Sequence, residues 1–315
     1  MPLADSDGFD GHTDPWHPLP ADDMRAARRA YRAAVSGMDR KLGSLLDELS
    51  RLGLAASTAV CLHSDHGWHL GEGGAWRKFT NYELATRVPL IIRAPWLGGG
   101  GGDGDARRSD SLVELVDVLP TIAALAGVPL PPNEAFDGVS MLPLLGHALG
   151  PQPPVVEVAD VDMGRTSVGS AFNCGGPRCE GSTKAAAFSQ YPRRVTDASR
   201  PWHGNSIIHH NRSTFTHMGY SARTTGWRYT EWVAWDGAAL APVWDAVAAR
   251  ELYDHRGEAT YPTNFDVGEL ENVASLLEYE STVEMLSRLV RAQFGNVTGT
   301  FIASGMRGGR KSGNG

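Results

Sequence analysis

The sequence predicts an α/β fold followed by a smaller α+β subdomain, and three patterns carry that prediction. Between Asp22 and Leu52, apolar residues recur at Met24, Ala27, Tyr31, Ala34, Met38, Leu42, Leu45 and Leu49, the stripe of a long amphipathic helix. Two short apolar runs, 58–63 and 89–93, read as buried strands, and strand, loop and flanking helix together make an α/β layer. Further on, 217–223 and 228–235 flank Thr225-Gly226 in the pattern of an antiparallel hairpin.

Taken in order, residues 1–20 are rich in Asp, Gly, His and Pro and read as a lead-in loop. Gly53 is placed to end the long helix. The strand at 58–63 then delivers Asp65 and His66 into a Gly-rich turn. Gly98 to Asp105 has nothing to pack and is expected to be a flexible surface loop; no Gly-Lys-Ser/Thr follows it to cradle a phosphate. Ser109 or Asp110 is expected to cap a helix over 111–126, interrupted near Pro120 and closed by Gly127. The Pro/Gly-rich stretch 146–154 marks a boundary, giving a first unit at 1–150 and a second at 151–302. In the second, Val155–Ala159 and Ala185–Gln190 read as strands and 275–293 as a helix, with a disordered Gly/basic tail at 303–315.

A hydrophobic fraction of 42% over 315 residues allows a sizeable core. The net charge of −7 argues against general nucleic-acid binding and against an anionic membrane surface. No run of apolar residues is long enough for a transmembrane helix, and the first residues lack the basic and apolar regions of a signal peptide. Of the three cysteines, Cys61 lies inside a predicted strand, while Cys174 and Cys179 are close enough for a local disulfide in an exported protein.

The chemistry concentrates in Ser64-Asp65-His66-Gly67-Trp68-His69 and in Lys78. Asp65 offers a hard oxygen and His66 an imidazole nitrogen to a divalent cation, and Lys78 adds a positive charge for an anionic substrate. Such a set suits metal-assisted attack on a phosphate or sulfate ester. The same residues also fit a plain loop, with Asp65 bonding nearby amides, His66 packed and Lys78 solvated.

Beside these motifs stand Leu70-Gly71-Glu72, Ala85-Thr86 through Ile91, Leu119-Pro120-Thr121, Ser189-Gln190-Tyr191-Pro192-Arg193, Met218-Gly219-Tyr220-Ser221, Arg228-Tyr229-Thr230 and Glu251-Leu252-Tyr253. Together they resemble the sulfatases of the alkaline-phosphatase superfamily, most closely their iduronate-2-sulfatase branch, with gaps from about residue 26 to about residue 274. The resemblance implies a partial alkaline-phosphatase-like core sheet with helices and a small C-terminal antiparallel subdomain. It implies a sulfuric ester hydrolase acting on sulfated glycans with a divalent metal, usually Ca2+. Asp65 and His66 would be metal ligands and Lys78 the catalytic lysine at the sulfate; Trp68, His69, Tyr191 and Arg193 would lie near the substrate.

Sulfatases carry their formylglycine nucleophile in a Cys-x-Pro-Ser-Arg-like motif in the N-terminal half, and no cysteine here fits it. The expectation is therefore a C-terminal portion, inactive alone, which would associate with a chain carrying the missing half. Full-length members are usually lysosomal or secreted. Gly73 stands where the closest pattern has a histidine, and His69 where a small residue is usual, so His69 either compensates or is simply exposed. A non-catalytic sulfated-glycan binding protein and a phosphodiesterase or phosphonate hydrolase of the same superfamily remain alternatives.

Overall fold

The computed structural model describes residues 18–97, 108–132, 136–145, 184–195, 211–256 and 269–295. The expectations for the 98–105 loop, the 146–154 boundary, the 155–159 strand, Cys174 with Cys179 and the 303–315 tail lie outside them.

Helix α1 (Ala21–Arg51) is the long amphipathic helix, with Asp22 and Asp23 in its first turn and Arg51 in its last, each sign matching its end of the helix dipole. Gly53 follows at φ +72°, a left-handed backbone that glycine adopts without a Cβ penalty. None of the α1 residues is buried, and Val35, Met38 and Leu45 are 50–65% exposed. Its apolar stripe therefore has little counterpart among the described residues.

Strand β1 (Val60–His63) ends at the site loop. That loop contains a minimal hairpin, β2 (His69–Leu70) against β3 (Trp76–Arg77), and then one helical turn, α2 (Glu83–Thr86). Strand β4 (Leu90–Arg93) returns antiparallel to β1, with Val60 opposite Arg93 and His63 opposite Leu90. The expected strands thus form, but they are not buried: every residue in them is half-buried or exposed, Ile91 on β4 being 60% exposed, because each of the two pairs with no other described strand.

The helix expected at 111–126 is shorter in the structure. A single 3-10 turn at Leu115–Asp117 precedes α3 (Val118–Leu125). The start is set by Glu114 and Asp117, not by Ser109 or Asp110: Asp117 Oδ2 accepts the Glu114 N–H at 2.8 Å in a capping box. Pro120 consequently falls in the first helical turn, where a missing N–H costs no helical bond, and it does not interrupt the helix.

The remaining strands build one antiparallel sheet, β5 (Ala187–Arg193), β6 (His217–Arg223), β7 (Trp227–Asp236) and β8 (Ala241–Asp254), in that spatial order. Helix α4 (Glu280–Gly295) covers it, with Leu286 and Val290 packed among Met218, Tyr229, Val233 and Leu252. The fully buried Glu231 on β7 pins the helix to the sheet. It accepts the Tyr229 hydroxyl at 2.6 Å, the Ser287 hydroxyl at 2.7 Å and Arg291 Nε at 2.9 Å. Burial alone would raise the Glu231 carboxyl, but these donors hold it below the usual carboxylate range.

Candidate functional site

Beyond β1 the chain turns through short polar contacts that fix Asp65 and His66. The Ser64 hydroxyl donates to the His66 carbonyl at 2.7 Å, and Asp65 Oδ1 accepts the His66 N–H at 3.0 Å. His66 Nδ1 lies 2.9 Å from the Gly67 carbonyl, which only accepts, so Nδ1 carries the proton and Nε2 is left with its lone pair. Ring orientation by a backbone carbonyl is how ligating histidines are commonly held. Asp65 Oδ2 stands 3.2 Å from Nε2, and the Lys78 ammonium 2.5 Å from it. The three groups expected from the sequence therefore converge on one point, and a cation already faces the lone pair. Slight desolvation works to raise the Asp65 carboxyl, but the charge of His66 whenever its ring is protonated, two backbone bonds and the Lys78 ammonium hold it below its ordinary range.

Gly67 allows this geometry. Its N–H bonds to the Ala85 carbonyl at 2.9 Å, and a Cβ there would lie 1.9 Å from the Leu84 carbonyl oxygen. No side chain fits so close an approach of loop to α2. Lys78 follows Arg77, whose φ of +68° is a left-handed conformation rarely taken by a residue with a Cβ.

The other expected residues divide. Trp68 is 37% exposed and stacks on His66 with ring centroids 6.3 Å apart. With Tyr31 and Ala34 of α1, Leu70, Lys78 and Phe79, it lines a cleft of about 480 Å³. His69 is not exposed: it is 2% accessible, its Nε2 lies 2.8 Å from the Thr80 hydroxyl, and its ring meets the edge of Tyr82. Burial pushes its pKa down to about 4, so the ring is neutral at pH 7. Tyr191 and Arg193 do come to the site loop, from behind. The Tyr191 ring is 6.2 Å from Phe79, and the buried Arg193 donates from Nη2 to the Phe79 carbonyl at 3.0 Å.

Sequence reasoning missed the ionic cluster beneath α2. The buried Arg228 donates from Nε to Glu269 at 2.7 Å and from Nη2 to Glu83. Arg223 reaches Glu83 at 3.0 Å, and His255 Nε2 lies 2.7 Å from Glu269. Burial would raise the Glu83 carboxyl; the two guanidinium groups overcome it and hold it at about 2. Glu83, His255 and Glu269 bring ligand atoms within 4.8 Å of one another, a spacing open to a metal ion. Arg228 already supplies their counter-charge and all three are buried, whereas the Asp65 side chain is largely exposed and open to an incoming ion. No sequence signal joined these residues, because Glu83 and Arg228 are 145 positions apart.

Residues 2–128 match the family model described as Sulfatase. Iduronate 2-sulfatase of Mus musculus is 32% identical over 265 residues, covering 76% of this chain and 44% of the relative. Choline-sulfatase of Rhizobium meliloti (strain 1021) is 36% identical over 139 residues, covering 44% of this chain and 26% of the relative. The chain thus spans less than half the length of these curated relatives. Among solved structures, the phosphonate monoester hydrolase from Silicibacter pomeroyi superposes with a TM-score of 0.56 at 22% identity, covering 93% of this chain and 51% of that one. That likeness speaks to the fold alone.

Proposed function

We propose, for a chain that belongs to the sulfatases of the alkaline-phosphatase superfamily and is related to iduronate 2-sulfatase, that its site serves metal-dependent hydrolysis of sulfate esters on sulfated glycans. Asp65 Oδ2 and His66 Nε2 would hold a divalent cation, Ca2+ in this reading, whose chemistry is to neutralise and polarise the bound sulfate. The observation that carries the reading is the convergence of Asp65, His66 and Lys78 on one point. Gly67 keeps the His66 lone pair outward through its carbonyl. Lys78 would hydrogen-bond the ester's bridging oxygen and offset the charge that develops as the bond to sulfur breaks. Trp68, exposed at the edge of the cleft, and Tyr191 behind Phe79 would shape the substrate side.

Two protein ligands are few for a hard cation, so the chain is expected to bind calcium weakly, with much of the shell left to water or to the segment carrying the nucleophile. That segment would also supply the attacking group, and the chain by itself is expected to show no turnover. Calorimetric titration of the purified chain with calcium tests the site. Weak binding abolished in Asp65→Ala supports the reading, and binding unchanged in that variant overturns it.

A further inference from the structure

We infer that Arg193 is a positioning residue for Lys78, acting through the backbone of Phe79 and not through contact with substrate. Arg193 is 4% exposed, so an incoming sulfate would meet other groups first. Its Nη2 donates to the Phe79 carbonyl at 3.0 Å, one residue beyond Lys78 and 114 positions away in sequence. Its guanidinium lies 4.7 Å from the Tyr191 ring centroid and 5.7 Å from that of Trp232, and Tyr191 in turn contacts Phe79. Its own carbonyl accepts the Thr216 N–H at 2.9 Å, which ties it to the sheet.

The consequence is a clamp on both sides of Lys78. Arg77 before it is fixed in a left-handed conformation, and Phe79 after it is held by a charge-assisted bond in a dry setting. A lysine has four rotatable bonds, so the accuracy of its ammonium at the His66 nitrogen depends on how firmly its Cα is held. Burial pushes the nearby Glu251 carboxyl up to about 7, and the Trp232 indole and the Arg193 charge work against that rise.

The inference rests on the proposed reading of Lys78 as the site's cation, and its test needs neither metal nor turnover. The chain has four lysines, Lys41, Lys78, Lys184 and Lys311. Reductive methylation with 13C-formaldehyde gives each a separate NMR resonance, with Lys78 assigned by Lys78→Arg. Lys184, held 2.5 Å from Glu114 and 2.7 Å from Asp117, reports whether the fold beside β5 persists. In Arg193→Met, or in the milder Arg193→Gln if the first variant does not fold, the Lys78 resonance is expected to move to the chemical shift of Lys41 on α1, with Lys184 unchanged. An unmoved Lys78 resonance overturns the assignment. So does loss of the Lys78 and Lys184 signals together in both variants, which would make Arg193 a general folding residue. The calcium titration of Asp65 fails or succeeds independently of either result.

Discussion

Replacing Arg228 by Met should destabilise the sheet heavily at pH 7 and much less at pH 5. Arg228 is 2% exposed and bonds to both Glu83 and Glu269. Removing one partner of such a group leaves charge buried without compensation, at a cost of about 3–5 kcal/mol. The structure supplies a second measure. Against the effect of burial, Arg228 and Arg223 hold the Glu83 carboxyl at about 2 instead of 4.5. At about 1.4 kcal/mol per pH unit, that corresponds to roughly 3 kcal/mol of preference for the ionised form. Since this carboxylate is depressed in the folded state, its contribution is complete above pH 4.5 and lost only as pH falls through about 2. The native protein therefore gains or loses little from it between pH 7 and 5. In the variant, Glu83 keeps Arg223 and Glu269 keeps His255, but a carboxyl short of positive charge takes up a proton as pH falls, and the penalty shrinks. Native-state hydrogen exchange at the buried β7 amides of Tyr229, Thr230 and Glu231 reads this opening directly. A rise of about 10²–10³-fold is expected at pH 7, from a loss of about 3–4 kcal/mol, and a clearly smaller one at pH 5 after correction for intrinsic rates. A rise below tenfold, or the same ratio at both pH values, would show that Arg228 does not neutralise this cluster.

Two further outcomes follow from the site loop. Gly67→Ala puts a methyl group where only 1.9 Å separates it from the Leu84 carbonyl oxygen, so loop and α2 must part; calcium binding should disappear while exchange at the β7 amides stays unchanged, and retained binding would contradict the close approach. His69, neutral because burial lowers it to about 4, takes up a proton more readily when unfolded, so the protein loses stability as pH falls from about 6.5 towards 4. His69→Asn should remove most of this loss, about 2 kcal/mol between pH 7 and 5, and melting followed by circular dichroism at both pH values would expose a variant that remains as acid-sensitive as the parent.

Periodic elements were legible because their signal is local. The α1 stripe, Gly53 as its terminator, β1, β4 and the β6–β7 hairpin all appear near their expected places. The length of β8 was not legible, since its Ala246-Val247-Ala248-Ala249 stretch lacks alternation and its pairing to β7 shifts register around Val233. The α3 start was missed because Glu114 and Asp117 cap each other, whereas Ser109 offered the more familiar cap residue. At the site, Asp65, His66 and Lys78 could be singled out by residue type, and the structure brings Asp65 and Lys78 within 3.2 Å of the His66 Nε2. The inward turn of His69 could not, because it depends on Thr80 and Tyr82 closing a pocket around the ring. The bond of Arg193 to Phe79 and that of Arg228 to Glu83 were hidden for a related reason: each joins residues more than a hundred positions apart.

Those separations bear on the order of assembly. Phe79 is held by Arg193, Asn81 by Ser189 and Gly219, and Glu83 by Arg223 and Arg228, across 108 to 145 positions. Closing such long loops has an entropic cost that local structure does not share, so the site loop should be among the last parts to settle. On a ribosome adding about 5–20 residues per second, Glu83 would wait roughly 7–30 s for Arg228 to be made. During that interval α1 and β1 can form, while the loop bearing Asp65, His66 and Lys78 lacks its anchors in the sheet. Nascent chains halted before residue 228 should therefore be cleaved by proteases within 64–88, and chains halted after the sheet has emerged should be protected there.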